Sequence, residues 1–258
     1  MLIRPRFRSS IICVGFLLFG ASVSDAVAQS EGVGNDRFRS ERGSIVVSQV
    51  RQMSVVIETP GGVIYTDPTG GKARYARHPL PDVILISHEH HEHFDKDTLE
   101  ELVGPGTRLV VPPFVMDQLP PGLRGKAVSL GNGKLSELGS MTIEAIPAYG
   151  LTGQSAQWHP KGRGNGYVVN VDGRRIYIAG SLDATSEMRR LKDIHIALLP
   201  LYPPYALGVD DVIDAVSSFK PEVTYIYQYD SVRTRNEFVE KMKLKPSVTT
   251  IIARDIGS

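Results

Sequence analysis

Four histidines fall within six positions of the stretch ISHEHHEHFD: His88, His90, His91 and His93. Core packing does not ask for such a cluster. Imidazole is the commonest protein ligand for zinc and similar metals. His88 and His90 lie two apart, so on extended chain they point the same way and can grip one ion from one side. Glu92 and His93 follow one short turn later, within reach of a second ion beside the first. A purely structural cluster and a surface metal-scavenging tract are the bland alternatives. The residues just before it, Val83-Ile84-Leu85-Ile86, form a continuous apolar run that reads as a buried strand. A histidine cluster at the end of a buried strand lies on a loop at a cleft, where it does not spoil the core.

The elements that must hold this loop alternate along the chain. Segments 44–50, 54–58, 63–65 and 83–86 are β-rich and separated by turns such as Pro60-Gly61-Gly62. Residues 96–103 and 113–118 read as short helices. Strand patterns return at 108–111, 141–146, 167–171, 175–179 and 194–199. Over 209–219 the spacing predicts a helix with Val212, Ile213, Val216 and Phe219 on one face. A strand at 223–227, a helix at 235–243 and a strand at 248–253 complete the series. Hairpins first and strand–helix alternation later predict a layered sheet-and-helix domain over residues 44–258, without an internal linker.

The 258 residues are 41% hydrophobic and 22% charged, with a net charge of +1 and no long basic run. That is an ordinary globular composition, and it gives no reason to expect nucleic acid as a partner. Residues 1–28 read as a secretory signal peptide. Arg4, Arg6 and Arg8 precede a short apolar run over 11–19, and Ala26-Val27-Ala28 offers small residues for cleavage before Gln29. The expectation is therefore a periplasmic or secreted protein, with no membrane attachment after cleavage. The only cysteine, Cys13, lies inside that segment. The mature chain then has neither disulfide nor thiolate ligand, and a metal must be held by nitrogen and oxygen. Residues 29–43, polar and Gly-containing, are expected to be a flexible lead-in.

From the histidine motif onward the sequence resembles the metallo-β-lactamase superfamily, whose signature is His-x-His-x-Asp-His after an apolar strand. It is most similar to the branch of small metal-dependent hydrolases that includes sugar-lactone hydrolases. The likeness continues at Thr66-Asp67-Pro68, Ala145-Ile146-Pro147-Ala148-Tyr149, His159-Pro160-Lys161-Gly162, Gly166-Tyr167-Val168-Val169, Tyr177-Ile178-Ala179-Gly180 and Ile196-Ala197-Leu198-Leu199-Pro200. The resemblance covers roughly residues 44 to 230. It implies an α+β fold, a four-layer αββα sandwich, with metals at one edge between two sheets. It also implies that His88, His90, Glu92 and His93 are metal ligands, with His159 completing the first site. Asp67 is either a turn residue or a carboxylate that orients a liganding imidazole.

The resemblance breaks where the chemistry lies. The motif's aspartate position holds Glu92. The family's metal-bridging aspartate falls at Ser181, and its last metal histidine falls at Gln228. Two adjacent dications repel, and a bridging carboxylate offsets that repulsion; a serine hydroxyl is a weak ligand, and an amide oxygen is poorer than imidazole for zinc. Asp183 is a candidate to reach in for Ser181. Two functions are therefore expected. One is an exported hydrolase with a single zinc or other divalent metal per chain. It would activate water against an ester, lactone, amide or phosphoester, with Glu92 orienting the water or taking its proton. The other is a catalytically degenerate member of the fold that binds a small ligand or a partner.

Other residues are expected to matter less. His91 points away from the cluster, and His195 starts a strand. His78 sits in a loop beside the cleft. Gly162-Arg163-Gly164-Asn165-Gly166 precedes a strand rather than opening a helix, so it is not a dinucleotide loop. Tyr202-Pro203-Pro204-Tyr205 reads as a cleft-lining loop or simply as a rigid turn, with the turn slightly favoured.

Overall fold

A computed structural model describes residues 29–30, 35–245 and 248–256. Residues 1–28, expected to be a signal peptide, lie outside the described residues. Fifteen strands are described: β1 (Gln29–Ser30), β2 (Asn35–Arg39), β3 (Ser44–Gln49), β4 (Val55–Thr59), β5 (Gly62–Thr66), β6 (Val83–Leu85), β7 (Arg108–Val111), β8 (Ala127–Ser129), β9 (Leu135–Leu138), β10 (Met141–Ala148), β11 (Gly164–Val171), β12 (Arg174–Ile178), β13 (Ile196–Leu201), β14 (Val223–Tyr229) and β15 (Thr250–Ile252). Seven α-helices accompany them: α1 (Lys96–Leu102), α2 (Pro113–Met116), α3 (Pro121–Arg124), α4 (Gly153–Trp158), α5 (Ser186–Arg189), α6 (Val209–Phe219) and α7 (Val232–Lys243).

The strands form two sheets. The first runs β1 to β8 in chain order, and the second runs β9 to β15 in chain order. Each half of the chain therefore builds one sheet. Pairing is antiparallel through the hairpins, then parallel from β5 to β8 and from β12 to β15. Three apolar clusters separate the layers. Ile45, Val55, Ile64 and Leu85 meet Ile143, Val169, Ile178 and Leu198 between the sheets. Ile84, Leu99, Leu109 and Val115 fill the space between the first sheet and its helices α1 to α3. Tyr177, Leu199, Val212, Val216 and Phe238 do the same on the outer face of the second sheet. A sheet buried on both faces needs such near-continuous apolar runs. The result is an αββα sandwich.

The helices begin where their sequences say they should. Asp95 caps α1, accepting from the Thr98 amide, and Ser231 caps α7, accepting from the Thr234 amide. Helix α6 buries Val212, Ile213, Val216 and Phe219 on one face and puts Asp210 and Asp211 in its first turn, where the helix dipole favours anions.

The lead-in corrects a sequence expectation. Residues 35–39 form β2, paired with β3 along its length. Asp36 points inward and is only 1% exposed. Both terminal nitrogens of Arg254 lie 2.5 Å from its carboxylate, and the Tyr225 hydroxyl donates to it at 2.7 Å. A polar segment looked unstructured because the partner that neutralises its buried charge stands more than two hundred positions away.

Candidate metal centre

The histidine loop is anchored at both ends. Upstream, β6 is wholly buried. Downstream, Phe94 is buried, and Asp95 accepts from Thr98 and from the Gly70 amide at 3.0 Å. Within the loop, the amides of His93 and Phe94 both donate to the His90 carbonyl at 2.8 Å. The tight turn brings the His93 ring back to 4.0 Å from that of His88, centroid to centroid.

His159 arrives from the other sheet. It follows α4, and its amide donates to the Ser155 carbonyl. Gly150 lets the chain pass close to that helix: its amide donates to the His159 carbonyl at 2.9 Å, and a Cβ there would stand 2.0 Å from the Ser155 carbonyl carbon. Asp183 fastens the start of α4, accepting from the Leu151 amide at 2.7 Å and the Ser155 hydroxyl at 2.5 Å. Asp183 is thus committed to α4 and does not substitute for Ser181. Glu89, between His88 and His90, pairs with Arg163 at 2.5 Å and so ties the histidine loop to the loop after His159. The Arg163 guanidinium in turn lies over the Phe114 ring.

His88, His90 and His159 converge. One ligand nitrogen from each lies within 4.8 Å of the other two. The nitrogens facing this point are identified by what the others do. Asp67, at the end of β5 with φ +39°, accepts from the Ser87 amide at 2.7 Å and the Ser87 hydroxyl at 2.6 Å. The Ser87 oxygen, having donated, accepts from His88 Nδ1 at 2.9 Å, and His93 Nδ1 donates directly to Asp67 at 2.6 Å. One serine and one carboxylate thereby fix both imidazoles with Nε2 as the lone-pair nitrogen. His88 Nε2, His93 Nε2 and His159 Nδ1 are buried and have no hydrogen-bond partner. A buried polar atom without a partner costs about 1–3 kcal/mol, and a cation in this position would satisfy it. Burial, reinforced by the neighbouring imidazoles, holds His88 well below the ordinary histidine pKa. Burial likewise lowers His90 and brings His159 down to about 4. Neutral imidazoles with free lone pairs fit a divalent metal.

Two residues expected as ligands stand outside the triad. Glu92 turns to the cavity rim, where its carboxylate lies 3.1 Å from His91 Nδ1 and its side chain is 42% exposed. It remains on the cavity lining, beside His91. His93 is buried beside His88 but is held by Asp67, which binds it as an orienting carboxylate would. His91 is fully exposed, His195 precedes β13, and His78 lies by Glu58 rather than at the cleft.

The triad opens on a cavity of about 470 Å³ lined by His90, His159, Trp158, Tyr202, Tyr205, Ser181 and Gln228, with Glu89 and Glu92 at its wall. Ser181 and Gln228 thus stand in the same cleft as the histidines. Gln228 Oε1 is buried without a partner. A register shift between Leu199 and Pro200 of β13 sets Gln228 opposite Pro200. Tyr202 and Tyr205 line the cleft, which selects the cleft-lining reading of that loop over the slightly favoured simple turn. Sequence reading missed Trp158, Glu89 and Arg163. Only the position of Trp158 beside His159 could have drawn notice.

Comparison with known proteins agrees with this architecture. A metal-dependent hydrolase of Staphylococcus saprophyticus is 26% identical over 216 residues, spanning 76% of this chain and 91% of its own. The crystal structure of a candidate metal-dependent hydrolase from Parabacteroides distasonis superposes with a TM-score of 0.77 at 30% identity, covering 86% of this chain and 99% of that one. A metallo-β-lactamase fold protein from Bacillus subtilis shares the fold at a TM-score of 0.62 and 10% identity, covering 81% and 90%. The family model described as the beta-lactamase superfamily domain matches residues 47–226, most of both sheets and all three triad histidines. The chain belongs to the metallo-β-lactamase superfamily.

Proposed function

We propose that this chain is a metal-dependent hydrolase that works with a single divalent ion, zinc being the best match to three imidazoles. One observation carries the reading: His88, His90 and His159 converge from both sheets, with His88 Nε2 and His159 Nδ1 buried and unpartnered. A divalent cation there supplies Lewis acidity and makes water a nucleophile near neutral pH. The protein's own part is to hold the three nitrogens, through Ser87 and Asp67 on one side and α4 on the other. Glu92, on the cavity wall, takes the proton that water gives up as it attacks an ester, lactone, amide or phosphoester. Ser181 and Gln228 line the neighbouring space with neutral groups, so neither supplies a bridging carboxylate to offset the charge of a second ion.

Elemental analysis of the dialysed protein tests the reading. About one equivalent per chain is expected. Two equivalents would overturn the single-ion reading, and none would overturn metal dependence altogether. The neutral groups at 181 and 228 also favour a second reading, a cleft that binds a small ligand without turning it over. Absence of hydrolysis by a protein holding one equivalent of metal would select it. We further propose export, supported by the arginines and apolar run before Ala26-Val27-Ala28. N-terminal sequencing of the protein recovered from cells should begin at or near Gln29, and an intact Met1 in the cytosol would refute this.

A further inference from the structure

Trp158 is the chain's only tryptophan, and it is 52% exposed. Tryptophan is usually well buried, and large apolar side chains left open at a concave site are the ones that ligands cover. Trp158 is not loose. It ends α4 and meets the His90 ring edge-on at 5.6 Å and the Tyr205 ring edge-on at 5.9 Å, and Tyr205 is tilted against Tyr202 at 6.2 Å. One wall of the cavity is therefore a run of rings that starts beside the metal-binding nitrogens. The charges on the cavity lining are as informative. Glu89 and Glu92 are its acidic members, and no lysine or arginine lines it. Glu89 is already paired with Arg163, so apart from the ion proposed above an anionic substrate would meet the Glu92 carboxylate and no lysine or arginine on this lining.

We propose that the site takes neutral esters, lactones or amides that carry a planar aromatic group, and that Trp158 is the residue that selects the ring. This rests on the hydrolase reading given above. The ring stacks on Trp158 while the carbonyl carbon lies over the histidine triad. Hydrolysis consumes one water: its oxygen joins the acyl carbon and the bond from acyl carbon to leaving group breaks. The leaving group departs with a proton from that water. Offset-stacked and edge-to-face ring pairs add to the gain from burial alone, so a flat ring should be preferred over a saturated ring of similar size.

Because the chain has one tryptophan, its fluorescence reports on this wall alone. The protein as purified should show a saturable change in emission with benzyl alcohol and a change at least fivefold weaker in affinity with cyclohexylmethanol. In parallel, benzyl acetate and ethyl phenylacetate are compared with their cyclohexyl counterparts, which puts the ring on either side of the ester. At least one aromatic ester should be favoured in kcat/KM. Trp158→Ala should cut that preference about tenfold, and Trp158→Phe should keep most of it, with metal content and circular dichroism unchanged in both. Ring-selective binding without hydrolysis of any ester would leave the aromatic site standing and remove the hydrolase reading. Hydrolysis of both series at equal rates, with no fluorescence preference, would overturn the aromatic proposal and leave the hydrolase reading intact. A preference unchanged in Trp158→Ala would overturn the assignment to this residue.

Discussion

The cleft has two halves. One half presents His88, His90 and His159; the other presents Ser181 and Gln228. The first draws on both sheets and the second on β12 and β14 of the second sheet, yet Ser181 and Gln228 are as buried as His88 and His159. What differs is the chemistry offered to a cation. The first half has three neutral nitrogens, two of them buried without a partner. The second offers a hydroxyl and an amide oxygen, and Glu92 has swung toward His91 and the solvent. A shared scaffold thus presents neutral groups in one half while the supports of the other are complete. The Asp67–Ser87–His88 chain is what orients the first half toward a cation.

The largest expected effect breaks the first half. His88→Ala or His90→Ala should weaken the tightest zinc site more than a hundredfold by calorimetric titration. Removing even a supporting group typically costs 10–100-fold, about the floor for losing a ligand. Parental affinity in either variant would show that the triad is not the site. The next test rebuilds the second half. Glu92→Asp, Ser181→Asp and Gln228→His together should add about one metal per chain, with each single change falling short because ligands act as a set. An unchanged metal count in a folded triple variant would mean that these side chains do not converge.

A smaller effect is expected from the support itself. Asp67→Ala should lower zinc affinity about 10–100-fold while leaving all three triad imidazoles in place. It also leaves the buried Ser87 and His93 donors unpaired, which should cost about 1–3 kcal/mol in urea unfolding. Full retention of both affinity and stability would contradict the hydrogen-bond chain.

Acid should act on the first half only. The folded pKa values of His88, His90 and His159 lie below the ordinary 6.5, so the unfolded chain binds more protons as pH falls. Stability of the metal-free protein should be highest above about pH 6.5. It should fall through the window that for His159 extends down to about 4. Urea midpoints from pH 7.5 to 4.5 check this, and His159→Gln should flatten the slope. A parental midpoint that rose on acidification would reverse the sign and refute the argument. The smallest effect belongs to Ser181→Ala, which should change zinc affinity by less than about twofold, since a neutral hydroxyl contributes little to holding the ion.

Much of the first half was legible in the sequence. The apolar run before His88 places the cluster at a strand end, and the spacing of His88 and His90 gives their common direction. Expected helix 209–219 coincides with α6, since its apolar face has a clean helical period. The supports were less visible. Helix α4 reads GQSAQW, with no apolar periodicity, and it exists because Gly150 lets the chain approach it and Asp183 holds its start. The Glu89–Arg163 pair and the Asp36–Arg254 pair join residues far apart in sequence, and nothing local announces either. Tyr202 and Tyr205 were read as a turn from the prolines between them. A turn and a wall are compatible, and only the third dimension shows that both tyrosines face the cavity.

Each half of the chain makes one sheet, and this bears on how the protein is assembled. His88 and His90 come at the end of β6, early in the chain, whereas His159 follows β10 of the second sheet. A chain emerging from synthesis holds two of the three nitrogens long before it has the last one. Neither sheet alone can offer a complete ligand set. An ion bound at this triad is therefore a rivet driven only after the two plates have been laid together. At a free concentration a thousand times its Kd it would add about 4 kcal/mol to the docked form and nothing to either plate on its own.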